Sequence, residues 1–288
     1  MLPFLSVGLF IIVILGVLLL WVSLYDTHHF QVSMHSFTSS KIKKQMRFVM
    51  LSDLHGQEYG RENQILLDAI RDLKPDGILI AGDMITALKN TKTEKVEKFL
   101  TALSKEYNVY YGNGNHEQKI ILYPERFGDL AERYKDALDR AGIQPLVNQN
   151  VNLPECGICI YGAEIEHSYY KRMSKVTMEV DYLKGILGDL DQSRFNILLA
   201  HNPDFFHTYA KWGADLVLSG HVHGGIARLP FLGGVIAPSL KLFPKYDGGV
   251  YQSGQSTMIL GRGIGTHSPN VRFFNPGEVV VVDLLPQK

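Results

Sequence analysis

The sequence predicts an α/β layered fold behind an apolar N-terminal helix. Three observations carry that reading. Short apolar runs alternate with amphipathic helical stretches through most of the chain, the pattern of strands joined by crossover helices. The last third is richer in Gly and β-branched residues and ends on the apolar run 278–284, which implies a second sheet packed beside the first. Ahead of both, residues 2–25 carry no charge.

That N-terminal run is dominated by Leu, Ile, Val and Phe, with Trp21 and Tyr25 at its far end. About 20 apolar residues span the roughly 30 Å hydrocarbon core of a bilayer, and aromatic residues suit its interface. A cleaved signal peptide is the competing reading. It would need a basic start, a shorter apolar stretch and small residues at the cleavage site. No Lys or Arg precedes the run and the residues after Leu20 are bulky, so residues 1–25 read as an uncleaved membrane anchor. Lys41, Lys43 and Lys44 lie at the edge of the window in which basic residues set orientation. The expectation is an extracytoplasmic domain.

Residues 26–45 are polar and mixed, with Ser and Thr clustered at 36–40, and read as a tether with room for one strand. Residues 46–288 form the expected domain. Strands are expected at 47–51, 77–81, 109–111, 195–200, 215–219 and 278–284. Helices are expected at 62–73, which stops before Lys74-Pro75, and at 93–106 and 126–141, with 209–213 ending another. No internal repeat is visible.

Lys plus Arg and Asp plus Glu each number 29, so the net charge is near zero. A nucleic-acid binder usually shows a basic excess, and nucleic acid is not an expected partner. The two cysteines, Cys156 and Cys159, have C-x-x-C spacing but no second pair to complete a zinc ribbon. They read as ordinary small residues in a turn entering a strand, with a redox or disulfide pair as the alternative.

Five polar clusters follow strand candidates almost immediately. They are Asp53-Leu54-His55, Gly82-Asp83, Gly112-Asn113-Gly114-Asn115-His116-Glu117, His201-Asn202-Pro203 and His221-Val222-His223-Gly224-Gly225. In open α/β sheets the carboxyl ends of strands line one crevice, so the clusters should converge. Carboxylate and amide oxygens with imidazole nitrogens suit Mn, Fe, Zn or similar ions. The supply matches two divalent metal ions sharing one carboxylate. Such a pair, roughly 3.5–4 Å apart, clamps a phosphoryl group and acidifies water. Each motif alone has an ordinary explanation. Gly82-Asp83 is a turn, Asn115-His116 can cap a helix, and a lone His is more often a structural residue. The order and the strand-end placement of all five are what carry the reading.

The ordered set, D-x-H, G-D, G-N-H-[DE], a lone His and G-H-x-H, resembles the calcineurin-like metallophosphoesterase superfamily. All five elements are present between Arg47 and Gly225. The segment Gly261-Arg262-Gly263-Ile264-Gly265, with Val271-Arg272-Phe273 and residues 276–284 beyond it, resembles the tail of a bacterial branch of membrane-anchored or exported phosphoesterases. Some relatives there cleave the pyrophosphate of UDP-diacylglucosamine. The resemblance implies a four-layer α/β/β/α sandwich. It implies one metal held by Asp53, His55, Asp83 and His223, and another by Asp83, Asn115, His201 and His221, with a bridging hydroxide attacking phosphorus. His116 matches the catalytic residue that stabilises the transition state or protonates the leaving oxygen. Many relatives carry an Asp three residues after the bridging Asp to orient that histidine. Thr86 stands here instead and cannot stabilise an imidazolium as a carboxylate would.

The expected function is metal-dependent hydrolysis of a phosphomonoester, phosphodiester or pyrophosphate. The expected partners are a phosphorylated small molecule or lipid, and the membrane. A lipid-linked pyrophosphate is the narrower enzyme reading, and a membrane-anchored metal-binding scaffold is the rival from another class. His28, His29, His35, His167, His207 and His267 read as structural or surface residues, His167 and His267 being the best substrate contacts among them. Arg262, in a Gly-rich loop, could meet phosphate or simply face solvent. The apolar stretch 229–244 follows the last ligands directly, and its prolines and glycines argue against regular structure. It reads either as cover for a sheet edge or as an apolar surface beside the site.

Overall fold

A computed structural model of the chain describes residues 2–171, 176–229, 231–236, 242–266 and 270–287. It opens with helix α1 (Leu2–His28). Leu9, Phe10, Ile12 and Leu20 on that helix are exposed. Among the described residues it is the one helix long and apolar enough to cross a membrane, and so little of it is buried that it is not a core helix. Its length and composition fit a membrane anchor or a signal sequence.

The chain continues through β1 (Phe30–Ser39), β2 (Met46–Leu51), α2 (Gln64–Leu73), β3 (Gly77–Ala81), α3 (Glu94–Glu106), β4 (Asn108–Gly112), α4 (Asn115–Leu122), α5 (Pro124–Phe127) and α6 (Leu130–Ala141). The second half holds β5 (Gln149–Leu153), β6 (Ile158–Ala163), α7 (Val180–Leu187), β7 (Phe195–Ala200), α8 (Phe206–Trp212) and β8 (Leu216–Ser219). A short pair, β9 (Ala227–Leu229) and β10 (Gly233–Ile236), precedes β11 (Gly249–Ser253), β12 (Ser256–Leu260) and β13 (Gly277–Pro286).

One sheet has the order β1-β13-β2-β3-β4 and the other β11-β12-β8-β7-β6-β5. Period-2 alternation sorts their side chains onto two faces. From the first sheet, Phe48, Met50 and Leu79 point inward against Ile160, Ile197 and Leu218 of the second. Val49, Leu51, Ile78 and Ile80 point outward onto Leu66 and Ile70 of α2, Phe99 of α3 and Leu138 of α6. The second sheet's Tyr161, Leu198 and Val217 pack on Leu183 of α7 and Tyr209 and Trp212 of α8. The layers are therefore α/β/β/α, as expected. Strands buried on both faces read as unbroken apolar runs, which is why β3 and β7 are found where the sequence placed them.

Some expectations need correction. The segment read as a tether is built into the domain, because β1 pairs with β13 in parallel over its whole length, from Phe30↔Gly277 to Ser39↔Pro286. The helix expected over 126–141 is broken at Gly128, whose φ of 64° ends α5 before α6 begins. The apolar stretch after the last ligands is not wholly irregular, since β9 and β10 form an antiparallel hairpin there. Cys156 and Cys159 are both buried and not joined in a disulfide, and burial pushes both thiols up. This supports the reading of two ordinary small residues.

Candidate metal centre

The five polar clusters sit at the carboxyl ends of β2, β3, β4, β7 and β8. Backbone bonds tie these ends together. Asp53 N–H donates to the Gly82 carbonyl, His55 N–H to Asp83, and Gly220 N–H to His201. The turns are tight. Asp53, His55, Asp83, His221 and His223 have φ of 53, 50, 56, 75 and 55°, a left-handed conformation that few side chains adopt. Residues held there against their preference cluster at functional sites. Two glycines make room: a Cβ on Gly114 would lie 2.2 Å from Asp83 Oδ1, and one on Gly220 would lie 2.3 Å from Asp53 Oδ2.

The side chains gather into two neighbouring groups. Asp53, His55 and His223 form one, and Asp83, His201 and His221 the other, while His55, Asp83 and His116 make a third set that straddles them; within each set one donor atom per residue lies within 4.8 Å of the others. His223 Nε2 is 3.3 Å from Asp53 Oδ1, and His55 Nε2 is 3.2 Å from His223 Nε2. Asp83 Oδ2 is 3.0 Å from His201 Nε2 and 3.9 Å from both His55 Nε2 and His116 Nε2, so it faces both groups. Asn115 joins them through its chain neighbours, since Gly114 touches Asp83 and His116 N–H donates to Asp83 Oδ1 at 2.8 Å.

Three imidazoles are oriented by main-chain carbonyls. The Nδ1 atoms of His55, His201 and His223 lie 3.2, 2.7 and 3.3 Å from the carbonyls of Ile85, Ala81 and Gly265. A proton on Nδ1 satisfies each contact and leaves the Nε2 lone pair toward the centre, the arrangement metal-binding histidines adopt.

The donor set fits divalent ions. Asp53 Oδ2 and Asn115 Oδ1 are buried with no hydrogen-bond partner among the described residues. Orphaned buried acceptors cost free energy unless something else satisfies them. The electrostatics agree. Burial opposes charge on His201, but Asp83 and Asp53 outweigh it and raise the group to about 10. Burial alone would raise Asp83, yet His201, through its charge and its hydrogen bond, holds it well below the usual carboxylate range. Asp53 is raised by burial. Burial and the His201 charge lower His221 to about 4. Without metal, a proton on His201 balances Asp83, and a metal would have to displace it.

His116 reaches the same place with a different partner from the one the family pattern suggests. Its Nδ1 accepts the Ala87 N–H at 2.7 Å, while the Thr86 hydroxyl donates to the His55 carbonyl at 3.4 Å. Accepting at Nδ1 puts the ring's proton on Nε2, which faces Asp83.

Two residues near the centre carried no assigned role in the sequence. Glu117 is buried and accepts backbone N–H bonds from Asp83, Met84 and Gly114 at 2.9, 2.7 and 2.9 Å, clasping two ligand-bearing loops together. Burial and the Asp83 charge push it up to about 7. It stood in the G-N-H-[DE] pattern, so position was its signal. The Tyr170 ring lies 5.3 Å from that of His221 and 6.2 Å from that of His201. Nothing in the local sequence marks it.

The other histidines lie away from the two groups. His28 and His29 bond back to carbonyls one turn earlier in α1, and His207 lies 3.3 Å from Ser253 Oγ. His35 lies on β1. His167 meets Tyr123 edge-on and stacks on Tyr170. His267 lies outside the described residues. Arg262 is half-buried and packs beside Gly224 and Gly248.

The profile of the family described as calcineurin-like phosphoesterase matches residues 46–225. An uncharacterized metallophosphoesterase of Campylobacter jejuni is 29% identical over 86% of this chain, which spans 61% of that protein. The metallophosphoesterase YkuE of Bacillus subtilis is 28% identical over 90% of this chain and 87% of its own. A metallophosphoesterase of Aquifex aeolicus is 28% identical over 96% and 98%. Among solved structures, a dimetal phosphatase from Danio rerio aligns with a TM-score of 0.44 at 12% identity, covering 76% of this chain and 87% of that one.

Proposed function

Because the chain belongs to the calcineurin-like phosphoesterase family, a metallophosphoesterase with donors for divalent metal, we propose that it hydrolyses phosphate esters at a centre of two ions sharing Asp83. One ion would be held by Asp53, His55, Asp83 and His223. The other would be held by Asp83, Asn115, His201 and His221. The donor types suit Mn, Fe or Zn. The observation that carries this reading is the position of Asp83 Oδ2 between the two groups of donors.

Bound there, the ions supply Lewis acidity to a phosphoryl group and acidify water. The protein's own residues do the rest. Ile85, Ala81 and Gly265 carbonyls hold three imidazoles in the tautomer that presents Nε2. Glu117 fixes the spacing of the Asp83 and Asn115 loops. His116 presents an Nε2–H as a neutral donor to a phosphoryl or leaving-group oxygen.

In this reading α1 is an uncleaved anchor, and the domain lies outside the cytoplasm. The substrate is a phosphomonoester, phosphodiester or pyrophosphate. A lipid-linked pyrophosphate of the UDP-diacylglucosamine kind is the narrower reading, favoured by exposed apolar side chains in the segment that follows His223. The test is hydrolysis of p-nitrophenyl phosphate, its bis ester and a long-chain lipid pyrophosphate by detergent-solubilised full-length chain, with and without Mn²⁺. Asp83→Asn should lose at least about 100-fold in kcat while keeping its fold, as expected when charge at the reacting centre is removed. Unchanged turnover in that variant at unchanged metal content overturns the proposal.

A further inference from the structure

Beyond α1, a group of the largest exposed apolar side chains lies together on one small sheet. β9 and β10 pair antiparallel, Leu242 bridges to Ile236 on one side of them, and Phe273 bridges to Ala227 on the other. On these segments Phe231 is 108% exposed, Leu232 and Leu242 63%, Phe243 60% and Phe274 53%. Single exposed apolar residues are ordinary. Several on neighbouring segments of one small sheet are a candidate interaction surface.

The backbone supplies an independent observation. Phe231, Phe243 and Phe274 have φ of 67, 45 and 55°. Bulky side chains rarely adopt that conformation. Glycine or asparagine would make the same turns at lower cost and without placing a ring in water. Neither core packing nor turn geometry accounts for three such phenylalanines.

Their place in the fold points to the partner. Directly after Phe274, Asn275 N–H donates to Asp26 Oδ2 at 2.8 Å, in the last turn of α1. Just before Asp26 on the helix, Trp21 and Tyr25 are exposed, at the end where an interface belt belongs. Gln57 Nε2 holds the Thr27 carbonyl at 3.0 Å, so this end of the helix is bound to the domain. At about 3.3 Å per strand residue, Phe231 lies no more than roughly 13 Å along the chain from the Ala227–Phe273 bridge.

We propose that this sheet is a second membrane contact, with Phe231, Leu232, Phe243 and Phe274 seated in the lipid interface beside α1. The proposal rests on α1 being an anchor. It also brings the metal centre to the lipid surface. Arg228 on β9 donates to the Gly224 carbonyl at 3.0 Å, and Asn275 Nδ2 donates to His223 O at 2.7 Å. The contact and the ligand-bearing loop are thus one unit.

The test uses full-length chain in phosphatidylethanolamine and phosphatidylglycerol vesicles, with an environment-sensitive fluorophore attached through Phe231→Cys. Trp21→Cys reports on α1, and Lys135→Cys on the exposed face of α6. The native cysteines are buried, and the unsubstituted chain gives the labelling background. Lipids carrying a quencher near the head of the acyl chain should cut the signal at 231 to about half, since interfacial side chains sit roughly 5–10 Å deep. The label at 135 should be untouched. Quenching at 21 but not at 231 overturns the proposal and leaves the anchor standing. No quenching at either position overturns both. Protection at 231 that persists in detergent and rises with protein concentration assigns the sheet to a second copy of the chain and also overturns it. Leu232→Cys replaces Phe231→Cys if that variant melts early.

Discussion

His116 illustrates how one hydrogen bond decides a chemical role. A histidine paired with a carboxylate can carry a second proton, whereas one that accepts a backbone N–H at Nδ1 cannot without breaking that bond. Its contribution is therefore that of a neutral donor. His116→Ala should lower kcat about 100-fold, the usual cost of removing one such donor, and leave metal content unchanged by elemental analysis. His116→Gln should recover part of the loss through its amide. A variant stripped of metal would make His116 a ligand instead. The convergence of the five polar clusters was legible because each stood at a strand end and strand ends of such sheets line one crevice. Tyr170 and Asn275 were not, because their nearness to the centre depends on how distant segments pack and not on any local pattern.

Among the elements, the strands buried on both faces were legible as apolar runs, and the helices α2 and α3 as amphipathic ones. The edges of the fold were harder to read. β11 alternates half-exposed residues, and β9 and β10 are short, with glycine where a strand signal would lie. β1 looked like linker because neither of its faces is uniformly apolar, with Val32 and Met34 exposed and Ser33 and His35 half-buried, and because its partner strand lies far along the chain. The segment around Asn275 has a testable role. Its side-chain amide donates to the carbonyls of His223 and Gly225, both at 2.7 Å. Asn275→Ala leaves two buried acceptors without donors, which should cost about 1–3 kcal/mol in a denaturant titration. Because it also frees the loop bearing His223, metal affinity should fall about 10–100-fold. Loss of stability with unchanged affinity would confine Asn275 to a purely structural role.

At the scale of the whole molecule, the helix should be separable from the domain up to a definite residue. Removing residues 1–25 keeps Asp26 and its bond to Asn275, so the remaining chain should be soluble in fractionation and active on p-nitrophenyl phosphate. Removing residues 1–29 deletes that bond and should weaken metal binding in the same direction as Asn275→Ala. An insoluble product from the shorter deletion would mean that the helix supports the fold as well as the location. The strand after the helix has a different consequence, for biogenesis. β13 lies between β1 and β2, parallel to one and antiparallel to the other. The first strand to leave the ribosome therefore waits for the last, on the order of tens of seconds at typical synthesis rates. Until then β1 has its hydrogen-bonding edge unpaired, and a prematurely released chain would keep it so. An open strand edge is a template for misassembly, so the vulnerable moment in this molecule's life is the interval before the ten residues of β13 arrive.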